Sequence, residues 1–147
     1  MNHLIAAATS ALLLAPAAFA ESHATGDAEA GESVYKKCRS CHLVESADGE
    51  TLQRGGKTGP NLWAVVGRQA GAAEGYRYSD AMVEAGEAGL VWTEEDFIAY
   101  VADPTGFLRS YLDSGSARGK MTFRLRDAEE AADVWAYLAS VSPAPEM

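Results

Sequence analysis

Cys38, Cys41 and His42 lie within one short run, Lys37-Cys38-Arg39-Ser40-Cys41-His42, and the chain has only these 2 cysteines among its 147 residues. Four chemistries compete for that spacing. A disulfide across two intervening residues closes a very short loop and restrains little of the unfolded chain. A redox dithiol of the thioredoxin kind needs a strand-helix-strand setting, and no alternating strand pattern accompanies these cysteines. A structural zinc ion usually takes four Cys or His ligands. Beyond Cys38, Cys41 and His42, only His23 is available once a leader is discounted. The fourth chemistry is covalent attachment of haem c, for which Cys-x-x-Cys-His is the attachment pattern. The two thiols add to vinyl groups on neighbouring pyrroles, and the adjacent imidazole reaches the iron as proximal ligand. This is the reading the spacing favours.

The second iron ligand follows by elimination. His3 lies in a removable leader and His23 in a loose segment, so a second imidazole is disfavoured. A thioether is the remaining soft ligand, and His/Met ligation raises the iron potential. Met147 is terminal and Met82 falls in a helical stretch that reads as core. Met121 sits in Gly119-Lys120-Met121-Thr122-Phe123, a loop before the last helix, and is the favoured ligand. As a bland alternative, Met121 fills a gap in a loop.

Other elements must position these residues. Residues 1–20 carry no Lys, Arg, Asp or Glu and end in Ala18-Phe19-Ala20. This is the pattern of a cleaved secretory signal peptide, although its n-region lacks Lys and Arg. The alternative is an uncleaved membrane anchor, which the short, alanine-rich run disfavours; the expectation is export to the periplasm, with residues 21–26 as a flexible leader, a folded domain over 27–142 and a tail over 143–147. No second long apolar run follows residue 20, so no stable membrane insertion of the mature chain is expected.

The sequence predicts a helix over 27–38, with acids in its first turn and lysines in its last, and helices from Ser79 to about Glu87, from Thr93 to Asp103 and from Asp127 to about Ser142, with Ser79 as a cap and Thr93-Glu94-Glu95-Asp96 resembling a capping box. A short helical turn is expected over 61–66. The stretches 43–60, 67–78 and 104–120 read as loop, the last with a helical turn near Phe107. Gly31 inside the first helix costs about 1 kcal/mol against Ala unless another backbone passes close by. Few helices joined by long Gly-rich loops make an unusual compact domain. A large internal body must organise those loops.

The formal charge is −9, which disfavours non-specific nucleic-acid binding. All 12 Lys and Arg lie between Lys36 and Arg126, many in two groups around Cys38 and Met121. If those groups meet in space, Lys36, Lys37, Arg39, Lys120 and Arg124 form part of a docking rim on an acidic molecule. The same residues also fit a plain set of solvated surface charges.

Taken together, the ordered motifs resemble a class I c-type cytochrome, close to the bacterial cytochrome c2 and c550 group. They are Gly31-x-x-x-Tyr35, Cys38-x-x-Cys41-His42, Thr58-Gly59-Pro60-Asn61-Leu62, Gly67-Arg68, Gly75-Tyr76-Arg77-Tyr78, Trp92, Tyr100, Pro104 and Lys120-Met121-Thr122-Phe123. The resemblance implies an all-α class I cytochrome c fold of about three to five helices around one haem. It also implies roles. The Pro60 carbonyl would accept the second His42 N–H, and Arg68, Tyr78 and Trp92 would engage a haem propionate. Tyr100 would lie near the Met121 sulfur, and Gly31 and Tyr35 would mark a crossing of the first and last helices near Val134 and Tyr137.

The implied function is a monomeric periplasmic one-electron carrier, not an enzyme. It would run from a cytochrome bc1 complex to a terminal oxidase or a photosynthetic reaction centre. The alternatives are a haem peroxidase or ligand-binding cytochrome with a displaceable sixth ligand, and a dedicated partner of one periplasmic dehydrogenase. The chain departs from many relatives in carrying Met82 where they have Asn, and in a long stretch from Phe107 to Gly119.

Overall fold

The computed structural model describes residues 24–142. The expected signal peptide, the start of the leader and the tail from residue 143 lie outside the described residues. The element order is α1 (Ala28–Tyr35), β1 (Val44–Glu45), β2 (Thr51–Gln53), α2 (Asp80–Glu87), α3 (Glu94–Ala102), α4 (Pro104–Tyr111) and α5 (Ala128–Val141). None of these helices is long and apolar enough to cross a membrane.

Each helix starts where a short polar side chain satisfies an orphan N–H of the first turn. Asp27 accepts from Ala30, Ser79 from Met82, Thr93 from Asp96, Asp103 from Gly106, and Asp127 from Glu129 and Glu130. At α3 the shorter acid alters the expected box: the Asp96 carboxylate accepts from the Thr93 hydroxyl at 3.0 Å.

α1 crosses α5. A Cβ at Gly31 would overlap the Asp133 carbonyl and lie 2.9 Å from the Tyr137 Cβ, so only glycine lets the two backbones approach. Tyr35 and Tyr137 then pack with ring centroids 5.5 Å apart. α3 joins the same frame through Phe97 and Trp135, 5.3 Å apart. Val134, Leu138 and Leu108 are buried behind these contacts. Each such side chain contributes about 1.5–3 kcal/mol of apolar burial.

Several local expectations are corrected. α1 stops at Tyr35, and residues 36–41 continue as turns, with the Cys41 and His42 N–H groups both donating to the Cys38 carbonyl. The two lysines therefore follow the helix instead of filling its last turn. Residues 61–66 form no helix. Asn61 bonds the Glu45 backbone in both directions and accepts from Trp63 N–H, and Ala64 sits at φ 56°. The side chain competes with the helical bonding pattern. The stretch after Asp103 holds a full eight-residue helix, α4. Pro104 reads as a stop for α3, but it equally suits the first position of a new helix, and Asp103 caps both.

The 43–60 stretch contains an antiparallel ribbon, β1 with β2, too short to show alternation in sequence. The leader is not loose to residue 26: Thr25 donates to the Glu94 carboxylate from its backbone N–H at 3.0 Å and its hydroxyl at 2.7 Å. Asp27 N–H donates to the Asp133 carboxylate at 2.7 Å.

Candidate cofactor site

A cavity of about 370 Å³ lies between α2, α3, α5 and the loops that precede them. That is in the size range of small-molecule sites. All nine residues singled out from the sequence line it: Cys38, Cys41, His42, Pro60, Arg68, Tyr78, Trp92, Tyr100 and Met121.

His42 is buried, and its Nδ1 lies 2.8 Å from the Pro60 carbonyl oxygen. A carbonyl only accepts, so Nδ1 carries the proton and Nε2 keeps its lone pair. Burial lowers the imidazole pKa, with the Pro60 bond opposing, so the ring favours the neutral form a metal ligand needs. Gly59 makes this possible: a Cβ there would overlap the imidazole. Its N–H donates to the Cys41 carbonyl at 2.8 Å, wrapping the 58–60 segment onto the Cys-x-x-Cys-His turn.

Cys38 and Cys41 are free thiols at the cavity wall, the first half-buried and the second exposed. Burial pushes the Cys38 thiol up to about 11, opposed by Lys37 and reinforced by Cys41. A redox-active dithiol requires the reverse shift. Among the described residues no group of three or more His, Cys, Asp or Glu side chains is arranged to hold a metal ion. An ion bound by His42 would take most of its ligands from a group other than these side chains.

Arg68 is half-buried and donates to the Trp63 carbonyl at 2.9 Å and the Asn61 carbonyl at 3.2 Å. Its Nε is buried with no partner among the described residues. Burial lowers its pKa, opposed by Tyr78. The Tyr78 oxygen accepts from Ala73 N–H at 3.3 Å, which leaves the hydroxyl proton for another acceptor. A cation with an orphan donor beside a phenol calls for a carboxylate. Trp92 packs on Tyr100 at 5.0 Å, and burial raises the Tyr100 phenol.

Each basic segment reaches the cavity with one lysine, Lys37 from the first and Lys120 from the second. Lys37 also pairs with Glu130 at 2.6 Å, and Arg124 with Asp103 at 2.9 Å. Met82, read from sequence as a core residue, is buried on α2 but also lines the cavity with Met121. Helical periodicity says that Met82 faces inward; it says nothing of what lies there. Tyr76 is a second residue whose part the sequence left blank. It stands two residues before Tyr78, and its hydroxyl donates to the Thr58 carbonyl at 3.0 Å.

An imidazole with a free Nε2, two adjacent thiols, a thioether and a half-buried cation with an unpartnered Nε around one cavity fit a haem with its propionates. The comparisons agree. Cytochrome c2 of Rhodovulum adriaticum is 55% identical over 118 residues, spanning 80% of this chain and 94% of the relative. The chain belongs to the cytochrome c2 family. Cytochrome c-551 of Roseobacter denitrificans is 56% identical over 119 residues, spanning 81% of this chain and 84% of that one. The crystal structure of cytochrome c2 from Rhodobacter sphaeroides matches with a TM-score of 0.79 at 46% identity, covering 82% of this chain and 99% of its own. No family model matches the chain. The fold is thus the class I cytochrome c fold, and the cytochrome c2 family consists of electron carriers, not enzymes, whose cofactor is haem c.

Proposed function

We propose that this chain is a monomeric periplasmic one-electron carrier holding one haem c. Thioethers from Cys38 and Cys41 attach the group, His42 is the proximal iron ligand and Met121 the distal one. The observation that carries this reading is the His42 ring. Its Nδ1 is committed to Pro60 at 2.8 Å, which leaves Nε2 free on a residue that lines one cavity with Cys38, Cys41 and Met121. When bound, the haem supplies a reversible one-electron change at iron.

The protein's own groups do the rest. Pro60 fixes the imidazole and raises its basicity. Arg68, Tyr78 and Trp92 supply donors for a propionate. Tyr100 places a buried hydroxyl in the same cavity, where it tunes the potential. With His42 and Met121 both serving as iron ligands, substrate chemistry at the iron would be disfavoured. The electron passes from a cytochrome bc1 complex to a terminal oxidase or a photosynthetic reaction centre through transient electrostatic encounters. Lys36, Lys37, Arg39, Lys120 and Arg124 form part of the docking rim. The exposed ion pairs of Lys37 and Arg124 are each worth about 1 kcal/mol or less, so a partner's carboxylates can replace them.

A redox-titrated visible spectrum of the purified mature protein tests the reading. The expected result is a single one-electron wave and a weak Met-to-ferric-iron band, with the haem mass retained on the denatured chain. A high-spin resting spectrum without that band would sink the carrier reading in favour of a ligand-binding or peroxidase role.

A further inference from the structure

Three loops that border the cavity are joined by one continuous set of contacts. Lys120, next to Met121, donates its ammonium to the Arg77 carbonyl and lies 5.6 Å from the centre of the Tyr76 ring. Tyr76 in turn donates its hydroxyl to the Thr58 carbonyl at 3.0 Å. Thr58 stands two residues before Pro60, whose carbonyl holds His42 Nδ1 at 2.8 Å. The Tyr76 ring is itself braced edge-on against Tyr78, 4.8 Å away.

The other bonds of the Met121 loop run in a different direction. Leu125 N–H donates to the Val101 carbonyl at 2.8 Å, Gly119 N–H to the Thr105 hydroxyl at 3.2 Å, and Arg124 pairs with Asp103. These tie the loop to α3 and α4. Among the hydrogen bonds, ion pairs and cation–π contacts of the described residues, only those of Lys120 tie it to the 75–78 segment and, through Tyr76, to the segment that fixes His42. A thioether is a neutral lone-pair donor and a weaker ligand than an imidazole or thiolate, so the tether of its loop contributes to how often the sulfur would leave.

We propose that Lys120 and Tyr76 form a clasp that couples the two axial-ligand loops, acting as positioning residues that keep Met121 seated. The proposal rests on the assignment of His42 and Met121 as iron ligands. It gives Lys120 a task in addition to its place in the docking rim, since the ammonium bonds a carbonyl and faces an aromatic ring within the chain.

The test is displacement of Met121 by imidazole in the ferric holoprotein, followed at saturating imidazole, where loop opening limits the rate. Lys120→Met keeps the stem and removes the donor; the opening rate should rise about tenfold, as for loss of one charge-assisted hydrogen bond. Tyr76→Phe keeps the ring under Lys120 and should raise it about threefold. The double variant should fall short of the product of the two, because both act through one clasp. Lys120→Arg should restore a rate near that of the wild type, and Arg54→Met, which removes an exposed cation elsewhere, should leave it unchanged. A Lys120→Met rate within twofold of wild type overturns the proposal, as does a rise fully matched by loss of global stability in denaturant. A wild-type protein lacking the Met-to-ferric-iron band instead overturns the axial assignment itself, whereas a failed clasp leaves that band intact.

Discussion

The α1–α5 crossing and the walls of the cavity are built on different principles. At the crossing, Gly31, Tyr35 and Tyr137 interlock directly, protein against protein, and little is left unpartnered. Around the cavity, the 58–60, 75–78 and 119–123 segments are held mainly by side chains bonded to backbone carbonyls. They enclose a space with an orphaned Arg68 Nε. Each such bond is worth only about 1 kcal/mol net. The crossing is a frame that packs on itself; the walls are shaped for something the chain does not supply.

That contrast predicts its largest effect on removal of the cofactor. Without haem, the apolar side chains around the cavity of about 370 Å³ lose the group they would pack on, so the walls lose much of their support. A Cys38→Ala/Cys41→Ala chain without haem should lose its cooperative melting transition. Residual amide protection should survive longest in α1 and α5. A haem-free chain that melts at the holoprotein's midpoint would show that the walls stand unaided.

Next in size is Gly31→Val. The added carbons meet Asp133 backbone and cannot be absorbed by a flexible side chain. We expect a loss of about 3 kcal/mol in denaturant unfolding, with an unchanged visible spectrum. Gly59→Ala should behave the opposite way. Its stability loss should be smaller, about 2 kcal/mol, but the methyl pushes on the His42 ring, so the spectrum and potential should move. If both glycine variants shift spectrum and stability in parallel, frame and wall are not separable.

The smallest stability effect belongs to the rim. Lys37→Glu breaks an exposed pair with Glu130 and should cost about 1 kcal/mol or less. It should instead lower the low-salt association rate with a redox partner several-fold, an effect that fades with ionic strength. An unchanged salt-dependent on-rate would remove Lys37 from the docking surface.

Much of this was legible from local chemistry. Asp27, Ser79, Thr93 and Asp127 announce the starts of four helices because a cap acts on N–H groups two or three residues away. α4 shows in the sequence only as a helical turn near Phe107, because Pro104 carries the same local signal whether one helix ends or the next begins. The turn at 61–66 was misread for the reverse reason: Asn61 spends its amide on Glu45, 16 residues away in sequence, a bond with no local signature.

The site divides in the same way. The sequence by itself determined the Cys38-x-x-Cys41-His42 turn, the capped helices and the need for a body within the loops, because those follow from spacing and short-range bonding. Only the tertiary structure decided that Met82 shares the cavity with Met121, that Arg68 keeps a buried donor in reserve, and that Lys120 reaches across to Arg77 and Tyr76. Those facts depend on which distant segments the α1–α5 frame brings together, and contacts between distant segments leave no periodic trace in the chain.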